Sequence, residues 1–403
     1  MNVAMMFYWP RKKPLRVLIV NPLIDSAQIA IIRMLTGSSF GSKQTLDITL
    51  LVYSNEIVEA EGFIQDLKGC NFGCLNTIVA TSDLPSIDDA DIFCFLGGFK
   101  NPNFLDDDLN TDDNFDTTYL TLKVALSLGK AVSVGENKND ESEEQKEYPI
   151  IVADGLLILD MVHSMGNIGI PSSRYFCHCN AGIKAQTLLS DLLQVQCNDI
   201  NKSYVWGVND RMFHVEIEKP YVVYDTISDK SYCDWEMVSV ELLEPLKLDH
   251  TQFNASWMKK EFIAKIKSII MQNPYSGVFK GWKLARCLSV IWDSTVNERE
   301  SYVSMGVISD GSLRTIKGLP YYLPVIFNKN STEWKVNTRF QELPHVIQEI
   351  EKFNKVAKHN HDRLVKYCTK FIAENIIKQS FISPDSEEID SNYSSSHNIP
   401  ISI

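Results

Sequence analysis

The segment from Leu15 to Leu35, LRVLIVNPLIDSAQIAIIRML, constrains the rest of the chain most. A largely apolar run rich in β-branched residues meets a break at Asn21 and Pro22, then apolar residues at helical spacing, Ile29, Ile32 and Leu35. This predicts strand, turn and helix, the opening of a βαβ unit. A turn of this kind that holds a dinucleotide carries glycine at three places, because only glycine lets the backbone approach a pyrophosphate at a helix N-terminus. Here those places hold Pro22, Asp25 and Gln28. Proline and a carboxylate where phosphate would lie give the shape of a cofactor site without its chemistry.

The chain downstream continues the pattern. Thr45 to Val52 reads as a second strand, Ile78 and Val79 begin a short third, and Ala90 to Leu96 is a buried fourth that stops at Gly97-Gly98. Ile57 to Leu67 is helical in period, and Pro149 to Ala153 resumes a strand. Strands alternating with helical stretches predict a parallel sheet covered on both faces. Asp106 to Asp116 and Glu136 to Glu147 read as polar surface loops. Beyond Gly155 the texture shifts to longer helices and antiparallel-looking strands. Trp257 to Met271 and Leu343 to Phe381 have helical periodicity, the latter with a break expected near His359 to His361. The last twenty residues, rich in Ser, Asn and acids, read as disordered.

At 403 residues, 44% hydrophobic and 22% charged, the chain can bury two sizeable cores. Its net charge of -12, with Arg11-Lys12-Lys13 as the sole basic cluster, argues against nucleic acid or an anionic membrane as partner. No apolar run reaches the roughly 18 residues of a spanning helix. The N-terminal charges follow the apolar part, the reverse of a signal peptide, so a cytoplasmic location is expected. Nine scattered cysteines fit reduced thiols better than a disulfide framework.

An ordered series of segments now resembles one family. KPLRVLIV, SSFG at Ser38 to Gly41, DLKGC at Asp66 to Cys70, IVAT at Ile78 to Thr81, IKAQ at Ile183 to Gln186, YVWG at Tyr204 to Gly207, SWMKKEF at Ser256 to Phe262 and VSMGVISDG at Val303 to Gly311 resemble the cytosolic type of malate dehydrogenase, within the lactate and malate dehydrogenase superfamily. The resemblance runs from about Leu15 to the 350s. It implies a Rossmann-type doubly wound parallel sheet, an α/β fold, followed by an α+β C-terminal domain, and a twofold dimer. The expected division is 1–14 an extension, 15–155 a degenerate NAD-binding domain, 156–380 the C-terminal domain and 381–403 a disordered tail.

Residue by residue, the family's chemistry is missing. The aspartate that holds the ribose hydroxyls of NAD corresponds to Tyr53. The family's G-N-P-x-N at the nicotinamide site falls on Ala153, Asp154, Gly155, Leu156 and Leu157, which removes two amides at Asp154 and Leu157. Three arginines grip the substrate's two carboxylates, since planar guanidinium forks pair with carboxylate oxygens. Their places fall on Asn101, Asp107 and Cys177, with Lys100 the one cation nearby. Each lost charge-assisted hydrogen bond is worth roughly 1.5 to 3 kcal/mol. The proton-accepting histidine of W-G-N-H corresponds to Asn209, and the aspartate that orients it to Cys179. An asparagine amide accepts no proton at neutral pH. W-G-N-H occurs nowhere else in the chain. On a continuous strand His214 would lie about 17 Å away on the opposite side and could not substitute.

Other polar residues have plainer readings. Cys177-His178-Cys179 is an awkward metal run without a second pair. His359 and His361 read as a solvated stretch, Ser276-Gly277 as packing, the acidic run as a solvated loop and VSMGVISDG as a core strand with a tight turn. Three functions compete. The favoured one is a catalytically silent malate dehydrogenase-like scaffold, without cofactor, acting as a homodimer and with protein partners in a larger assembly such as the cytoskeleton. The alternatives are an active NAD-dependent malate dehydrogenase and a binder of another small ligand in the old cleft.

Overall fold

The computed structural model describes residues 13–99, 101–103, 115–135, 148–166, 169–200, 203–217, 224–231, 260–272, 275–296, 301–328, 334–337 and 344–377. The opening segment forms β1 (Leu15–Val20) and α1 (Asp25–Leu35). Asn21 makes the reversal between them in the left-handed region at φ 58°, a conformation asparagine tolerates better than most residues. Then come β2 (Leu46–Leu51), α2 (Ile57–Gly69), β3 (Leu75–Thr81), β4 (Ile92–Phe95), α3 (Phe115–Gly135), β5 (Ile150–Ala153), α4 (Leu156–Gly166) and β6 (Tyr175–His178). All six strands pair in parallel, in the order β3-β2-β1-β4-β5-β6. The strand order reverses between β1 and β4, where open α/β sheets bind ligands beyond their carboxyl ends.

Past β6 the pairing turns antiparallel. Helix α5 (Asn180–Leu193) leads to the hairpin of β7 (Ser203–Gly207) and β8 (Phe213–Ile217). After α6 (Ile263–Gln272) and α7 (Gly277–Val296) come β9 (Ser301–Ile308), β10 (Pro320–Phe327) and β11 (Trp334–Val336). The chain closes on α8 (Pro344–Phe371), followed by a π-helical stretch, Ile372–Ile377. Strand β9 pairs with β6 on one side and β10 on the other, so eleven strands among the described residues form one continuous sheet.

Strand alternation sends successive side chains to opposite faces, and two cores result. Leu18, Val20, Phe93 and Phe95 pack under α3, α4, α5 and α6. Val17, Ile19, Ile92 and Cys94 pack under α1, α7 and the first half of α8. Among the described residues no helix is long and apolar enough to cross a membrane.

Three expectations need correction. Strand β3 starts at Leu75 rather than near Ile78. The acidic stretch expected to be loop as far as Asp116 already enters α3 at Phe115. Helix α8 runs unbroken through His359 and His361, because His361 is held: its Nδ1 lies 3.0 and 3.1 Å from the two oxygens of Asp160, buried on α4. Lys100, Asp107, the polar run 136–147, residues 257–259 and the tail 381–403 lie outside the described residues.

Candidate functional site at the carboxyl ends of the parallel strands

The turn after β1 is closed by the chain's own groups. Asn21 Nδ2 donates to the Leu96 carbonyl at 2.7 Å, bridging the crevice between β1 and β4. Gln28 Nε2 donates to the Leu23 carbonyl at 2.9 Å, which fastens the turn to the helix it opens. Pro22 is buried, and so is Ser26 in the first turn of α1. The start of α7 lies against this end of α1. A Cβ on Gly277 would come within 2.7 Å of Asp25 Cβ, and one on Gly281 would collide with the Ser26 carbonyl. Backbone therefore occupies the approach to the first turn of α1, where an anion would need open amides.

At the end of β2, Tyr53 donates from its hydroxyl to the Asp116 carbonyl on α3 at 2.7 Å. Its ring stacks on Tyr119, with centroids 6.3 Å apart, and the series continues through Phe115 to Phe371 on α8. Aromatic surface joins β2, α3 and α8 here, and burial raises the Tyr53 phenol so that it stays protonated.

Asp154, at the end of β5, is fully buried. Its Oδ2 accepts from the Gly97 N–H at 3.0 Å, while Oδ1 has no hydrogen-bond partner among the described residues. Burial pushes this carboxyl up to about 7, against the opposing pull of Lys280. The Lys280 ammonium itself donates to the Phe99 carbonyl at 3.3 Å. Residues 101–103 are pinned beside it. Asn103 Oδ1 accepts from the Leu156 N–H at 3.0 Å, the Leu157 N–H donates to the Pro102 carbonyl at 2.9 Å, and Asn101 Oδ1 accepts from the Asn103 N–H at 3.0 Å. Gly155 permits this contact, since a Cβ there would strike the Pro102 carbonyl.

Asn209 sits in the turn between β7 and β8. Its Oδ1 accepts from the Arg211 N–H at 2.9 Å and the Met212 N–H at 2.8 Å, an asparagine turn that closes the hairpin. This overturns the expected position of His214. The chain reverses instead of continuing as one strand, Trp206 pairs with His214, and the imidazole Nε2 lies 3.0 Å from Glu216 Oε2. The neighbour of Asn209, Asp210, is buried, and its Oδ2 accepts from Asn103 Nδ2 at 3.1 Å and from the Tyr275 hydroxyl. Burial pushes Asp210 up to about 6, opposed by those two bonds.

Cys177 and Cys179 complete the cluster. Both thiols are buried and held well above their ordinary range by loss of solvent, Cys179 to about 12. They are inert as thiolates at neutral pH. Cys177 packs so closely on Gly306 of β9 that a Cβ on that glycine would collide with its sulfur. His178 points to the opposite face of β6 from Cys177, which rules out a converging Cys-His-Cys metal set. Ser276 Oγ accepts from the Phe279 N–H at 3.2 Å at the start of α7.

The structure thus brings together Asn101, Asp154, Leu157, Cys177, Cys179 and Asn209, and places Pro22, Asp25, Gln28 and Tyr53 along the same edge of the sheet. Sequence reasoning missed Asn103, Asp210, Tyr275 and Lys280. No periodicity marks them; one signal was available, a carboxylate next to the W-G-V-N turn at Asp210. Where the family's substrate site is cationic, the described part of this cluster has two carboxyls raised toward neutrality and one buried ammonium.

No family model matches the chain. It is 25% identical over 340 residues to the cytoplasmic malate dehydrogenase of Homo sapiens, covering 80% of this chain and 89% of that one. It is 22% identical over 334 residues to malate dehydrogenase 3 of Arabidopsis thaliana, covering 81% and 88%. Its fold is similar to malate dehydrogenase from Naegleria fowleri, with a TM-score of 0.66 at 14% identity and coverage of 89% and 99%. It is also similar to Trichomonas vaginalis lactate dehydrogenase in complex with NADH and oxamate, with a TM-score of 0.64 at 13% identity and coverage of 88% and 99%. Along four fifths of its sequence the chain is thus similar to cytoplasmic malate dehydrogenases, and it shares the fold of solved malate and lactate dehydrogenases.

Proposed function

We propose that the protein is a catalytically silent member of this family, retained as a scaffold for interaction with other proteins, cytoplasmic like the relatives it matches, and homodimeric. The observation that carries the reading is Asn209. At the position of the family's proton acceptor, the side chain spends its acceptor oxygen on two backbone N–H groups of its own turn. It has no proton affinity to offer and no free orientation toward a substrate. The closed turn at Asn21 to Gln28 and the stacked Tyr53 support the same conclusion for the cofactor.

The alternative, an NAD-dependent dehydrogenase, draws support from the relatives' activity and from the NADH in the Trichomonas vaginalis complex. Titration of NADH fluorescence, with oxaloacetate-dependent NADH oxidation followed across pH 6 to 9, separates the two. The silent reading expects no saturation below about 1 mM NADH and no turnover, because Tyr53 supplies no ribose acceptor and the turn no open amides. A micromolar dissociation constant or measurable turnover would overturn it.

A further inference from the structure

A groove of about 490 Å³ opens at the amino ends of β1, β4 and β5, the opposite end of the parallel strands from the closed crevice. Its wall is largely apolar. Phe40, Ile87 and Ile92 from the parallel half meet Leu288, Ile291 and Trp292 of α7 there, and Trp292 stands edge-on to Phe40 with ring centroids 5.4 Å apart. Ile32, Val278 and Trp282, the exposed apolar residues of α1 and α7, take no part in it. Apart from Lys13, which the incoming chain itself brings, the charges of the wall offset each other: Arg16 and Arg174 stand against Asp88 and Asp91, with Arg16 Nη2 donating to Asp91 Oδ1 at 2.7 Å. Such a groove favours an apolar occupant over an ionic one.

Two stretches of the chain lead straight into the groove, residues 1–12 through Lys13 and Pro14 and residues 136–147 through Tyr148 and Pro149, and all four of these entry residues line it. Their sequences offer different things. The second stretch, ENKNDESEEQKE, carries six acids and no apolar side chain. The first holds VAMMFYW, Val3 to Trp9, seven consecutive apolar residues that end in three aromatics. We propose that Met5 to Trp9 dock in this groove of their own chain, so that the N-terminal extension clasps α7 to the parallel sheet. The reach is sufficient: Trp9 lies four residues before Lys13, within about 14 Å of it on an extended chain, and Phe7 six residues before, within about 21 Å. Pro10 and Pro14 hold the residues ahead of them extended, which keeps the segment from coiling away from the rim. Docking also takes out of water a run that would otherwise form an exposed apolar patch, against aromatic and aliphatic side chains suited to receive it.

Photocrosslinking on the full chain tests the assignment. With p-benzoylphenylalanine in place of Trp9, irradiation and peptide mapping are expected to give adducts at Phe40, Ile87, Ile291 or Trp292. Their yield should be unchanged on about tenfold dilution, as for a contact within one chain. The same probe in place of Ser142 is expected to leave the groove unlabelled. Phe7→Ser/Trp9→Ser, which leaves the groove wall untouched, is expected to lower the melting temperature by about 2 °C or more. Adducts at other sites, no adduct, or an unchanged melting temperature overturns the proposal. Labelling that fades on dilution overturns it too, since the extension of a second copy would then be the occupant, as does labelling from position 142, which would give the groove to residues 136–147.

Discussion

At the scale of single residues, Asn209 and Asp154 make hydrogen bonds that hold the backbone, and that bears on what a substitution does. Asn209→His is expected to leave oxaloacetate-dependent NADH oxidation at background. Groups that act as a unit are strongly non-additive, and a histidine beside Cys179, with no guanidinium at Asn101 or Cys177, has neither orienting partner nor substrate. The variant should instead lose about 1 to 2 kcal/mol of stability, read by chemical denaturation, as the bonds to Arg211 and Met212 weaken. Wild-type stability with dehydrogenase activity would refute both halves. Asp154 gives a second prediction, through pH. Its folded carboxyl titrates near 7 and its unfolded one near the ordinary 3.8, so the folded state binds the extra proton between those values. Stability from this group is therefore present in acid and lost as pH rises from about 4 through about 7. Melting temperatures from pH 4.5 to 8 should fall less steeply in Asp154→Asn than in the parent chain. Parallel slopes would show that Asp154 is ionised throughout. Asn209 and Asp154 were half legible in the sequence: their departure from the family pattern could be read, but the hydrogen bonds they make depend on chain reversals that no local spacing encodes.

Elements with a strong period were legible. β1, α1, β2, α2 and β5 fall within a residue or two of their expected bounds, because their apolar repeats match one secondary structure each. The reading failed where tertiary contacts outweigh local polarity. The stretch HNHDR looks like a solvated break, yet α8 runs straight through it because Asp160 on α4 receives His361 and Ser164 Oγ, the latter at 2.7 Å. This clasp sets a pH dependence opposite in sense to the burial of the neighbouring His163, whose pKa is lowered. His361 is raised, first by its hydrogen bond to Asp160, so its contribution is fully present below the unfolded value near 6.5 and is lost as pH rises through the folded one. His361→Gln should therefore lower the melting temperature most at about pH 5.5 to 6 and progressively less toward pH 9. The imidazole is partly exposed, so solvent screening keeps the effect modest. A deficit that is constant across pH would assign His361 to packing alone.

For the whole molecule, one sheet runs from β3 to β8 with helices on both faces, so its large cores are satisfied within the chain. The apolar surface left over is then informative. Helices α1 and α7 pack closely together, and on their outer side Ile32, Val278 and Trp282 remain 40%, 63% and 45% exposed. Val278 and Trp282 are one turn apart on α7, and Arg33 covers the Trp282 ring, so the three form a patch and not scattered exceptions. The sequence alone could not locate it, since the apolar positions on α1 and α7 look alike until the packing shows which ones face inward. The homodimer implied by the family resemblance would bury this surface by an isologous contact, each copy giving the same face. Light scattering on the intact chain at micromolar concentration should return twice the chain mass. Val278→Glu places a carboxylate at the centre of the patch on both copies at once, and like charges meeting across a twofold axis cost several kcal/mol. That variant should run as a monomer with an unchanged circular dichroism spectrum. A parent chain that is monomeric, or a Val278→Glu variant that stays dimeric, would move the contact away from α1 and α7.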